Sequence, residues 1–404
     1  MHTGGVNPRE RERDATTESL RDAALRELAA VGQADFAMES VARRAYFSIG
    51  TIYNRWPNRE SLLADLASTR IPSLLAKGLD DSPDPGPAIA WLLGPGQEPA
   101  LLLGEVLLAA RTSPVVAGPA LRAWQTLRDA LARHMPDDLG WYVATYALGQ
   151  ALLGALGVSG PEPATGRVTW FVDACAVPSS VAEPSDGPPV PVDVEVPTVP
   201  APRSADAVSA ALISAAQTLL AEQGVAGTST REIAAGAGVT TGALYRRYDG
   251  KSGLLADVLL EQLQPDRYAW TWDLVRALAG DNPFHNAAEV IAARTVLVAA
   301  DEKAQAVLLQ IGIAARNDTT LRAQVADRIR VAHHSRMGMA QQLADLHVVR
   351  RDVSSDVLTW GFQAIPAGIR ATQAAGIPLA LAEVSASIEA MLRASAAPVG
   401  SRRN

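Results

Sequence analysis

The chain has 404 residues, enough for two to four domains, and its formal net charge of −7 excludes a protein that is basic all over. A single cysteine, Cys175, excludes an internal disulfide framework and suits a reducing cytoplasm. Alanine and leucine dominate and few runs alternate with period two, so the expected fold class is all-α.

The N-terminus is polar and charged (RERERD, 9–14) and has no signal-peptide pattern. The first informative element is a repeat. Window 19–66 lies over 211–258 without a gap, at an offset of 192, with 16 of 48 positions identical. The identities include Gly32 with Gly224, Ala42 with Ala234, Gly50 with Gly242 and Tyr53 with Tyr245. The first copy is assigned to residues 15–68. From 43 to 59 it carries Arg43, Arg44, Arg55 and Arg59 and no acid, a local positive patch on an acidic chain.

Residues 69–177 follow as a helical domain. Within it, 139–160 carries no charge and is long enough to span a bilayer. Its internal glycines, its Gln and Thr, and the lack of a basic flank favour a helix buried on all sides of a core. No membrane partner is expected. Residues 178–204 contain eight prolines, four acids and one base, the composition of a semi-extended linker.

The second copy, 205–262, has legible helix signals. Val208, Ala211, Leu212, Ala215, Ala216, Leu219 and Leu220 share a face, and Gly224 stops that helix. Ser229 with Glu232 forms a capping box. A tight turn at 236–238 leads to Thr240, which can cap the short helix TGALYRRY. Arg246, Arg247 and Lys251 face only Asp249 between 240 and 251. Four helices with a turn between the second and third make a helix-turn-helix pattern.

A recognition helix is short and carries polar groups near its N-terminal end that reach base edges. Thr241, Ala243 and Arg246 are assigned to that face, and Leu244 to the core. Gly242 leaves room at the groove. Tyr245 and Lys251 are assigned to phosphates, which position the protein without specifying sequence. The corresponding contacts of the first copy are Ser48, Ile49, Gly50, Thr51, Tyr53, Asn54 and Arg59; Ser229 and Thr240 complete the set.

The segment 227–259 resembles the DNA-binding domain of tetracycline-repressor-type (TetR) transcriptional regulators. The spacing of Gly224, Ile233, Ala234, Gly238, Val239, Gly242, Leu244, Tyr245, Tyr248, Lys251 and Leu254–Leu255 carries the resemblance. It implies that each half is a reader followed by an all-helical ligand-binding and dimerisation domain, and that a small molecule releases the DNA. The first copy departs from the pattern. Tyr46 stands where the family has the turn glycine, Ile49 where a polar residue is expected, and Ala37 and Ser40 replace the capping pair. A lost cap costs about 0.5–2 kcal/mol.

The second helical domain is assigned to 263–397. LLAAR (107–111) recurs as GIAAR (312–316), at an offset of 205. Asp137, Trp141 and Gly149 recur as Asp356, Trp360 and Gly368, at an offset of 219. A whole two-domain unit is therefore duplicated. Helices near 139–158 and 356–375 are expected at a pseudo-twofold interface, giving a monomeric pseudo-dimer, with a homodimer of the chain as the other arrangement.

Most of the eight tryptophans fall outside the readers. Trp124, Trp141, Trp360 and Phe362 are candidate walls of a pocket for an apolar or aromatic effector, against a plain role in core packing. His333 and His334 diverge by about 100° on a helix, so no metal is expected, nor any cofactor. No nucleophile motif or phosphate loop points to an enzyme. The expected function is a cytoplasmic transcriptional regulator, a repressor acting on a double-stranded, asymmetric operator. The alternative is a ligand- or protein-binding module in which only the second helix-turn-helix acts on DNA.

Overall fold

The computed structural model describes residues 8–79, 84–158, 164–176, 206–263, 273–274, 277–278, 282–345, 355–379 and 381–395. The expected linker at 178–204 lies outside them. All regular structure among the described residues is α-helical, as expected from composition and periodicity.

The first half opens with α1 (Pro8–Asp35), α2 (Met38–Arg44), α3 (Ile49–Tyr53) and α4 (Arg59–Ser68). It continues through α5 (Arg70–Gly78), α6 (Pro85–Leu93), α7 (Gln97–Ala110), α8 (Pro114–Leu131), α9 (Asp137–Gly154) and α10 (Ala164–Cys175). The second half repeats the opening as α11 (Ala207–Gly227), α12 (Thr230–Gly236), α13 (Thr241–Tyr245) and α14 (Gly250–Leu263). Then come α15 (Pro283–Ala300), α16 (Glu302–Ala315), α17 (Thr319–Asp345), α18 (Ser355–Ala374) and α19 (Leu381–Ser395).

The same packing occurs in both halves. Helix α1 lies on α7 as α11 lies on α16, α4 on α8 as α14 on α17, and α8 on α9 as α17 on α18. Leu20, Leu28, Ile52, Leu62, Leu63 and Leu66 fill the first reader's core, and Leu212, Leu220, Ile233, Leu244, Leu254 and Val258 the second's. Each such fully buried side chain contributes about 1.5–3 kcal/mol.

The halves meet along a seam in which α9 packs on α18 and α19, and α10 on α19. Gly149 and Gly368, matched by the repeat, face each other there. A Cβ on Gly149 would sit 1.8 Å from the Ala364 carbonyl oxygen, and one on Gly368 2.0 Å from that of Thr145. Only glycine allows the two backbones this approach. The Trp170 indole N–H donates to Ser395 Oγ at 2.6 Å and adds a polar tie across the seam. The apolar run lies in α9 from residue 139 to Gly154, and that helix is buried along nearly its whole length. No helix among the described residues is long and apolar enough to cross a membrane.

Among the expected pocket walls, Trp124, Trp141 and Trp360 are buried. The Phe362 side chain lies outside the described residues. Trp360 meets the His333 ring edge-on at 5.6 Å, and its indole N–H is buried without a partner.

Candidate nucleic-acid interface

Each reader presents a five-residue helix after a turn, and both helices are capped in the same way. Ser48 Oγ accepts the Thr51 N–H at 3.2 Å, and Thr240 Oγ1 accepts the Ala243 N–H at 3.2 Å. The capped end is exposed at Ser48, Ile49 and Gly50 in α3 and at Thr240 and Gly242 flanking and opening α13. Thr51 and Thr241 are half-buried. Tyr53 and Tyr245 stay 44 % and 57 % exposed, although each sits one residue from a fully buried aliphatic. Asn54 and Arg246 are exposed beside them.

The supporting helix differs between the copies. In the second reader, Ser229 and Glu232 close the capping box, with the Ser229 N–H donating to Glu232 Oε2 at 2.8 Å. The bond from Ser229 holds the Glu232 carboxyl below the usual range. In the first reader Ala37 provides no side-chain cap. Where Gly238 makes the turn with φ 67°, Tyr46 adopts φ 59°, a conformation costly for a residue with a Cβ, and is 96 % exposed. Thr230 Oγ1 lies 3.3 Å from the Tyr245 hydroxyl. The matching position in the first reader is Met38, which has no hydroxyl to offer Tyr53.

Three site assignments sit differently in the structure. Ala243 is turned into the core rather than displayed on the reading face. Arg59 and Lys251 occupy equivalent positions, and neither extends freely toward solvent. Arg59 donates to the Gln33 carbonyl and Lys251 to the Val225 carbonyl, each binding the start of a fourth helix to the end of a first. Burial also lowers the pKa of Lys251, against the pull of Glu232. Sequence reasoning did not foresee the related role of Arg55 and Arg247. Arg55 donates to Thr17 Oγ1 and to the Thr51 carbonyl, both at 2.9 Å. Arg247 donates to Asp206 Oδ2 at 3.2 Å and the Ala243 carbonyl at 3.3 Å. Each guanidinium fixes its recognition helix to the N-terminal end of the reader. The recurrence of arginine at the offset of 192 was the available signal.

The readers also attach differently to the domains behind them. At the first, the backbone N–H of Gln33 donates to Glu105 Oε2 at 2.7 Å, and Arg316 from the other half lies 3.4 Å from Glu105 Oε1. Arg316 also donates to the Ala29 carbonyl at 2.9 Å, and Asn317 to the Val31 carbonyl at 2.8 Å. Burial raises the pKa of Glu105 above the carboxylate range, opposed by Arg316 and the Gln33 amide. The equivalent position at the second reader is the neutral Gln310, lying against Gly224. Arg111, the counterpart of Arg316, is exposed. There the tie is instead Asp257, buried in α14, to Arg328 of α17 at 2.9 Å.

The family described as "Bacterial regulatory proteins, tetR family" matches this chain twice, at 20–66 and at 212–258. Two solved structures are similar. One is native NalD, the secondary repressor of the MexAB-OprM multidrug efflux pump in Pseudomonas aeruginosa, at 21 % identity and TM-score 0.35, covering 47 % of this chain and 97 % of that one. The other is a TetR-family transcriptional regulator protein from Vibrio parahaemolyticus, at 22 % identity and TM-score 0.28, covering 46 % and 97 %. No curated protein matches. The double match falls on the two four-helix readers, so the chain carries the family's N-terminal DNA-binding domain twice, once at the opening of each half.

Proposed function

We infer that the chain is a ligand-responsive transcriptional repressor whose two readers occupy the two halves of one operator. The observation that carries this reading is the repeated exposed face: a capped five-residue helix with a glycine at its second position and an exposed tyrosine at its fifth. Both faces belong to one chain joined through α9 and α18. Two readers in that arrangement suit successive major grooves, about 34 Å apart. The proposed contacts are Ser48, Ile49, Gly50, Tyr53 and Asn54 on one half-site and Thr240, Thr241, Gly242, Tyr245 and Arg246 on the other. Ile49 and Asn54 differ in chemistry from Thr241 and Arg246, so the half-sites are expected to differ in sequence. Release by an apolar or aromatic effector completes the reading.

The decisive measurement is the mass of the protein, free and on promoter DNA from its own locus, at two salt concentrations. One chain per duplex, with affinity falling as salt rises, is expected. Two chains per duplex would replace the pseudo-dimer by a homodimer with four readers. A second reading, in which only the α11–α14 reader acts on DNA, is favoured by the uncapped α2 and the strained Tyr46. Tyr245→Phe weakening binding with no effect from Tyr53→Phe would select it.

A further inference from the structure

The seam contains a buried cationic group to which no carboxylate is hydrogen-bonded among the described residues. Arg167, on α10, is 3 % exposed, and its hydrogen-bond partner among the described residues is the neutral carbonyl of Gln150, at 2.6 Å from Nη1. Its Nε–H is buried with no acceptor. One turn before Gln150 on α9, the Tyr146 hydroxyl is fully buried and faces Arg167, with no acceptor among the described residues for its own O–H. Burial raises the Tyr146 pKa, with Arg167 the charge that opposes it and Asp356 of the other half reinforcing it. The two groups thus share one environment. The Asp356 carboxylate is itself taken by His333. Leaving a charge and a hydroxyl unsatisfied inside a protein is costly, and such groups need an explanation.

The chemistry of the missing partner follows from the donors. A planar guanidinium and a phenol supply hydrogens and need acceptors, which a carboxylate offers in the matching geometry. The walls are aromatic: the Phe171 ring meets Tyr146 edge-on at 5.0 Å and Tyr142 at 6.2 Å. Behind them, the Tyr142 hydroxyl lies beside Gly361 of α18, so the spot borders the opposite half.

We propose that the seam between the halves holds an effector site for a small aromatic carboxylic acid, its carboxylate bound by Arg167 and Tyr146 and its ring against Phe171 and Tyr142. This rests on the ligand-responsive reading above and gives it a place and a ligand class. The site is set in the seam that joins the readers' supporting domains, so its occupation acts on both readers at once.

The test is calorimetric titration of the full chain with benzoate, phenylacetate and salicylate, beside neutral benzamide and inorganic phosphate. Binding of at least one aryl carboxylate is expected, with benzamide and phosphate inert. Arg167→Met should abolish it while melting above the ligand-free wild type, because an uncompensated buried charge has been replaced by an apolar chain of similar reach. Tyr146→Phe should weaken it about tenfold through one lost charge-assisted hydrogen bond. Failure of all three acids to bind, or equal binding to Arg167→Met, overturns the site. A parallel DNA titration separates the two readings. Carboxylate binding that leaves DNA affinity unchanged upholds the site and removes its regulatory role. Absence of DNA binding with and without the acid sinks the regulator reading alone.

Discussion

The two readers share a fold and differ in what holds them. The second follows the local rules, with a closed capping box and a glycine at the turn, and one buried carboxylate, Asp257, pairs it with the helix behind it. The first breaks two of those rules and compensates with ion pairs. Arg21 binds Asp65 at 2.8 Å, Arg44 binds Glu27 at 2.7 Å, and Glu105, Arg316 and Asn317 hold the end of α1 from both halves. Local consistency was thus exchanged for long-range ties. The exchange has a direction, because the second half holds the first reader through Arg316 while Arg111 does not return the contact.

The sharpest way to break this comparison is to remove each arginine in turn. Arg316→Ala leaves Glu105 buried without its partner and is expected to cost about 3–5 kcal/mol, whereas exposed Arg111→Ala should stay within about 0.5 kcal/mol. Chemical denaturation of the two variants checks this, and equal losses would abolish the asymmetry. A smaller effect is expected at the caps. Ser229→Ala should destabilise by about 1 kcal/mol and Ala37→Ser should stabilise by a similar amount, each confined to its own reader when amide hydrogen exchange is followed in α2 and α12. Relieving the turn should matter a little less. Tyr46→Gly is expected to gain about 0.5–1 kcal/mol, if the loss of backbone strain exceeds the added freedom of the unfolded chain. An unchanged or lowered melting temperature would show the turn to be unstrained.

The smallest effect is a slope with pH. The folded pKa of Glu105 lies above its unfolded value, so the folded state binds the extra proton. That contribution is complete below the ordinary carboxylate range and is lost as pH rises through the folded pKa. Glu105→Gln cannot titrate, so its stability relative to wild type should rise over that interval. Parallel denaturation curves at several acidic pH values test this, and a constant difference would mean that Arg316 fully offsets the burial.

Much of this was legible in the sequence where the physics is local. The Ser229 box, the Thr240 cap and the glycine turn all depend on residues within four positions of each other, and the repeat shows as a fixed offset in the sequence itself. Ala243 was misplaced on the face of Thr241, from which it lies about 200° around a helix, beside buried Leu244. Arg59 and Lys251 look like phosphate contacts because they are basic and open a helix. Their actual acceptors, Gln33 and Val225, are 26 residues away, next to Gly32 and Gly224, which leave the helix with φ 73° and 69°. The Glu105–Arg316 pair bridges 211 residues and becomes visible only when the halves are brought together.

The meeting of Gly149 with Gly368 carries a kinetic and quantitative consequence. Two separate subunits would form such a crossing by collision, and the assembled fraction would depend on how many copies the cell holds. Within one polypeptide the crossing closes as a first-order event, at an effective concentration set by the length and stiffness of the connection. Dilution to a few molecules does not open it. The fraction of chains with both readers assembled is therefore set by the seam's own stability, and the number of assembled pairs rises in direct proportion to expression instead of with its square.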